Sequence, residues 1–117
     1  CDGLRRVYNL IGLANRAGKV SAGTMAAKTS LLRRRAVILL MSEDISENTK
    51  QSLQTVCSRQ KIPWLMFGNK YDLGTSVGKA YRVAVTVNDE GFKNAIISAL
   101  ASLGEEVKSM GVVEWPK

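Results

Sequence analysis

The sequence predicts an α/β fold: a three-layer α/β/α sandwich around a small, mixed, largely buried sheet. Two observations carry this. Stretches with apolar residues at helical spacing alternate with short strand-like runs, and two of those runs, Ala36 to Met41 and Ile62 to Phe67, are apolar almost throughout. Strands that lack polar alternation are strands covered on both faces, and helices must do the covering.

In chain order, Leu4, Val7, Ile11 and Ala14 mark a helix over 4–17, with Gly18 placed for a left-handed C-terminal cap. Lys19 to Ser21 is at most a short strand. Gly23 or Thr24 opens a second helix running to about Arg34, with Met25, Ala26, Thr29 and Leu32 as its apolar set and Leu31 nearby. Ala36 to Met41 is a central strand, Ser46 caps a helix to Gln60, and Ile62 to Phe67 is a strand with Pro63 near its start, where proline is tolerated. Gly68 to Asp72 reads as a polar turn and Leu73 to Lys79 as a loop. Arg82 to Val87 is a further strand, and Phe92, Ala95, Ile96, Ala99, Leu100 and Leu103 mark the last helix. A single domain over residues 1–103 is expected, followed by a loosely docked C-terminal tail over 104–117.

With 117 residues, 45% of them hydrophobic, the chain can bury one core, and no linker divides it. No apolar run approaches the ~20 residues that cross a bilayer, and the N-terminus lacks a signal-peptide pattern, so a cytoplasmic protein without membrane contact is expected. Cys1 and Cys57 form no C-x-x-C pair, and Cys57 is expected to be a small apolar residue on a helix face. Histidine is absent, which removes the commonest general base and zinc ligand. No catalytic residue, metal site or cofactor is assigned.

The net charge of +7 is localised. Residues 1–35 hold eight basic side chains (Arg5, Arg6, Arg16, Lys19, Lys28, Arg33, Arg34, Arg35) against Asp2 alone, whereas residues 36–117 hold nine basic and nine acidic. Such a field points to a polyanionic partner, nucleic acid before membrane.

Two motifs fail as chemistry. Asn69-Lys70-Tyr71-Asp72 matches the N-K-x-D with which GTPases read guanine, and Gly74 to Lys79 resembles a phosphate loop. A phosphate loop needs four residues between its glycines and a hydroxyl after the lysine; here three intervene and Ala80 follows. Nucleotide hydrolysis is excluded on those grounds. The segment survives in another role. Two glycines around small polar residues, before the basic and partly aromatic Lys79-Ala80-Tyr81-Arg82, let a backbone come close to phosphates or unstacked bases.

Leu-Ile-Gly-Leu-Ala-Asn-Arg-Ala-Gly-Lys ending at Lys19, Gly23-Thr24, the apolar run ending Ser42-Glu43-Asp44, and Gly68 to Lys70 followed by Leu73 to Val83 together resemble the kink-turn-binding ribosomal-protein family. Its namesakes are large-subunit proteins seven-Ae and thirty-e, and among bacterial members the chain looks like the small YlxQ-like proteins. The resemblance covers about residues 4–103. It implies the same α/β/α sandwich, no catalysis, and binding of structured RNA, kink-turn or ribosome-associated. The contacts it implies are the start of the second helix and the glycine-bounded loop, with the turn after the second strand closing one side. Carried onto this chain, the RNA-binding residues are Lys19, Gly23, Thr24, Lys28, Gly74, Thr75, Ser76, Val77, Gly78 and Lys79. Lys19 and Lys28 would neutralise phosphates, Gly74 and Gly78 would permit close approach, and Val77 would pack on an extruded base. Family readers place Asn, Glu and Lys two, three and six residues after the helix-opening glycine; here Met25, Ala26 and Thr29 stand there, and Lys28 is one residue early. That departure sustains an alternative, a same-fold protein-interaction or scaffold module that has lost kink-turn recognition.

Overall fold

The computed structural model describes residues 2–101 and 108–109. The elements in order are α1 (Asp2–Arg16), β1 (Val20–Ala22), α2 (Thr24–Leu32), β2 (Ile38–Met41), α3 (Glu47–Gln60), β3 (Trp64–Met66), α4 (Lys70–Ser76), β4 (Ala84–Val87), α5 (Glu90–Ala101) and β5 (Lys108–Ser109). The sheet order is β1-β4-β2-β3-β5, with β2 and β3 parallel and the other pairs antiparallel. It is the mixed sheet that the sequence predicts.

The central strands are covered on both faces, as their unbroken apolar runs require. Ile38 and Leu40 of β2 point into one core with Val7, Ile11, Leu73, Val85, Val87, Ile96 and Leu100. Leu39 and Met41 point into the other, with Ala27, Leu31, Leu53, Val56 and Cys57. The strand period of two thus divides one apolar run between two helical layers, α1, α4 and α5 on one side and α2 and α3 on the other. Cys57 is buried in the second core, and burial pushes its thiol up to about 12, so it behaves as an apolar filler.

Helix ends follow local chemistry. Ser46 caps α3 by accepting the Thr49 N–H at 3.3 Å. At the end of α1, Gly18 (φ 74°) donates to Asn15 and Lys19 donates to Ala14, the paired closure expected around a left-handed glycine. The same position after α3 is Lys61, exposed and at φ 58°. A left-handed non-glycine residue carries about 1–2 kcal/mol of strain, partly offset by the lower chain entropy of lysine in the unfolded state. Lys61→Gly is therefore expected to stabilise the protein by about 1 kcal/mol, seen as a higher urea midpoint at unchanged slope. A lower midpoint would contradict this.

Three expectations are corrected. The turn 68–72 and loop 73–79 are instead mostly the helix α4. Asn69 caps it, accepting the Asp72 N–H at 2.8 Å while its amide donates to the Asp72 carboxylate at 3.0 Å. The guanine-like N-K-x-D pattern is thus a helix-start box. Second, the apolar set assigned to the second helix faces solvent. Ala27, Ser30 and Leu31 are buried, while Met25, Ala26, Thr29 and Leu32 are exposed. Two of the three buried residues, Ala27 and Ser30, are small, and the Ser30 and Ser21 hydroxyls lie 2.6 Å apart, so hydrophobicity alone misplaces the inward face. Third, Val77 is only 4% exposed and belongs to the first core. It closes α4 four residues after Leu73, on the same inward side, and is not free to pack on a base.

Of the segment assigned as a tail, Lys108 and Ser109 pair with Met66 and Leu65 of β3; residues 104–107 and 110–117, and Leu103, lie outside the described residues. Among the described residues, no helix is long and apolar enough to cross a membrane.

Candidate nucleic-acid interface

Register gathers the loops at one edge of the sheet. Ala22 pairs with Val85, and Met41 pairs with both Ala84 and Met66. The residues that follow β1, β2 and β3 therefore meet the residues that precede β4. Strand ends of this kind are where loops can build a site on a rigid base.

Gly23 follows β1 and opens α2. Its φ of 101° and ψ of 157° lie in a region essentially restricted to glycine, and its N–H donates to the Ala84 carbonyl at 2.9 Å. No side chain caps α2, so the N–H groups of its first turn are left for solvent or a ligand. The facing wall is the segment after α4. Gly78 (φ 74°) donates to Thr75 at 3.1 Å and Lys79 to Gly74 at 2.9 Å, which closes α4 and turns the chain back. A Cβ on Gly74 would overlap the backbone of Tyr81. The missing side chain lets the returning loop lie directly on α4, and this places Tyr81, Arg82 and Val83 opposite α2.

Between the walls lies a groove of about 440 Å³, lined by Gly23, Thr24, Met25 and Ala26 on one side and by Tyr81, Arg82 and Val83 on the other. Met25 is 82% exposed and Tyr81 54%. Arg82 is fixed from both ends, its N–H donating to Lys70 at 2.9 Å and its guanidinium to the Tyr81 carbonyl at 2.7 Å. The Lys70 ammonium sits 5.4 Å from the Tyr71 ring centre and 5.7 Å from that of Tyr81, an aromatic clamp on one cation.

The turn after β2 holds this edge in place. Ser42 donates to the Val83 carbonyl at 3.0 Å, Glu43 to that of Gly68 at 3.0 Å, and the Asp44 carboxylate accepts the Lys70 N–H at 3.0 Å. Partial desolvation, the largest single influence on Asp44, acts to raise its pKa. The nearby Ser42 hydroxyl, the hydrogen bond from the Lys70 N–H and the Lys70 charge outweigh it and hold the carboxyl below its usual range. Asp44 is thus an anion that anchors the start of α4.

The expected site residues divide. Gly23 and Thr24 line the groove, and Gly78 and Lys79 stand exposed on the turn leading to its far wall. Lys28 is exposed on α2, about 6 Å along the axis from Thr24. Thr75 is exposed on α4 with its hydroxyl donating to Tyr71, and the Ser76 hydroxyl donates to Leu73, so both are partly spent within the helix. Gly74 is buried; its role is to admit Tyr81 rather than a ligand. Lys19 precedes β1 at the far end of the sheet, its carbonyl bonded to Asn88, some ~13 Å of extended chain from Gly23. It is not brought to the groove. Tyr81 and Arg82, which line the groove, and Lys70 beside them are not among the residues expected from the sequence, although the Lys79-Ala80-Tyr81-Arg82 stretch carries the signal of interleaved charge and aromatic.

The model for the ribosomal protein L7Ae/L30e/S12e/Gadd45 family matches residues 5–97. The chain is 40% identical over 93 residues to RNA-binding protein YlxQ of Bacillus subtilis, covering 80% of this chain and 93% of that one. It is 27% identical over 108 residues to large ribosomal subunit protein eL8 of Thermoplasma volcanium, covering 92% and 89%. Among solved structures, a Bacillus halodurans protein of unknown function superposes with TM-score 0.77 at 28% identity over 81% of this chain and 96% of that one. The 15.5kD RNA binding protein of Giardia lamblia shares the fold, with TM-score 0.71 at 14% identity over 87% and 88%. The chain belongs to the ribosomal protein L7Ae/L30e/S12e/Gadd45 family.

Proposed function

We propose that this protein binds structured RNA, without catalysis, in the groove between the start of α2 and the segment preceding β4. The observation that carries the reading is the make-up of that groove. It has uncapped helix N–H groups on one wall and an exposed tyrosine and a fixed arginine on the other, with Lys28 one turn along α2, Lys70 beside Tyr81 and Lys79 exposed two residues before it. Backbone donors and cations suit phosphates, and the exposed ring of Tyr81 suits an unstacked base. The name of the YlxQ relative supports the same reading. A kink-turn or a ribosomal RNA element is the RNA class proposed.

Met25, Ala26 and Thr29 occupy the positions at which family readers carry polar side chains, so phosphate contact outweighs base readout. Lys28→Ala should then weaken binding to all RNAs alike, with the slope of log affinity against log salt falling by about 1. Calorimetric titration against kink-turn and ribosomal RNA fragments across a salt series tests this, and absence of saturable binding to any of them defeats the proposal.

One observation favours a second reading. Met25 and Leu32 present an exposed apolar face on α2, which suits a protein partner. A partner that co-purifies stably after ribonuclease treatment would support it.

A further inference from the structure

A second groove, of about 680 Å³, runs between α1 and α4, one helix away from the first. Its α1 wall carries Arg5, Asn9, Gly12 and Arg16. These positions are spaced i, i+4, i+7 and i+11, which puts them on one face of the helix, with the two arginines about 17 Å apart along its axis. Both arginines are exposed, and among the described residues neither makes an ion pair. Gly12 lets the helices come together: a Cβ there would stand 3.1 Å from the Ser76 carbonyl oxygen. The opposite wall offers the exposed Thr75. Asp72, the one carboxylate lining this groove, is held by the Asn69 amide at 3.0 Å.

We infer that this groove is a second RNA contact, which takes the phosphate backbone of a helix leaving the first site. The inference rests on the function proposed above. Two unpaired guanidinium groups with amide and hydroxyl donors between them suit phosphates a few nucleotides apart on one strand, because each presents a planar fork suited to bidentate phosphate contact. α4 stands between the grooves: its Gly74 packs on Tyr81 of the first and its Thr75 and Ser76 line the second, and a helix thickness of about 10 Å is a short step for an RNA backbone. Lys70 lies on α4 and Lys79 just beyond it. An acidic helical peptide is the competing occupant, and it would need several apolar anchors. Leu4 and Tyr8 pack into the first core, which leaves Leu13 as the one largely exposed apolar side chain lining the groove.

The test is Arg5→Gln/Arg16→Gln in the full chain, titrated with two RNAs: one just long enough to fill the first groove, and the same RNA with its flanking helix lengthened. Affinity for the lengthened RNA should fall about tenfold, and its salt slope should shrink by about 1.5, the contribution of two phosphates. Binding of the short RNA should stay within about twofold, and Arg5→Lys/Arg16→Lys should keep most of the slope. Arg33→Gln/Arg59→Gln, which removes equal charge from the other helical layer, should leave the difference between the RNAs intact. The inference is overturned if the lengthened RNA is unaffected, if the short RNA loses as much, or if the control pair has the same effect. It is also overturned if the α1 substitutions abolish binding of a polyglutamate peptide while sparing RNA. A wild-type protein that binds neither RNA removes the first site as well, so the two failures are distinct.

Discussion

Replacing Gly74 with alanine is expected to destabilise the protein by about 2 kcal/mol, because forced overpacking of up to about 3 kcal/mol exceeds the roughly 1 kcal/mol that alanine gains over glycine inside a helix. The new methyl would overlap the Tyr81 backbone, which cannot rotate away as the end of a side chain could. The loop must lift from α4, and it takes with it the wall formed by Tyr81, Arg82 and Val83. RNA affinity should therefore drop in the fraction that remains folded. Chemical denaturation together with binding separates these effects. Thr75→Ala, at an exposed position on the same helix, is the control and should change stability by under about 0.5 kcal/mol. A Gly74→Ala protein as stable as its parent would show that Tyr81 is not seated on α4.

Reversing two charges at the groove should have the larger effect on binding. Lys70→Glu/Arg82→Glu removes both cations that bracket Tyr81 and puts carboxylates where phosphates would lie. Affinity for RNA is expected to fall at least about 100-fold near 0.1 M salt, with part of the loss shrinking as salt rises. Both side chains are only partly buried and neither makes an ion pair among the described residues, so the melting temperature should move by no more than a few degrees. Affinity within about threefold of the parent would place the RNA elsewhere.

The layer architecture was legible because its signal is long and redundant. Unbroken apolar strands can exist only under two helical covers, and Val7, Ile11 and Ala14 repeat cleanly on α1. The site was legible as a region and less so as a geometry. Gly74 looked like a loop glycine because helix interiors usually exclude glycine; here a tertiary contact with Tyr81 decides the residue and overrides propensity. Asn69 and Asp72 did carry a helix-start signal, and the guanine-like pattern masked it. On α2 the inward stripe of Ala27, Ser30 and Leu31 is less hydrophobic than the outward Met25 and Leu32, so a rule that turns the greasier side inward chooses the wrong face. Lys19 shows a different limit. Charge summed along the chain cannot say which end of the sheet a cation reaches, and β1 carries the chain away from Lys19 before Gly23 begins the groove.

The central claim is that RNA occupies the edge where α2 begins and the segment before β4 turns in. Backbone amide chemical shifts of the labelled protein, followed during titration with a kink-turn RNA, test it most directly. The account predicts saturable changes concentrated at Gly23 to Ala26, Lys70 and Gly78 to Val83, with Lys19 and Arg33 to Arg35 little moved. Changes centred on Lys19 and the three arginines, with residues 23–26 and 78–83 unmoved, would contradict it.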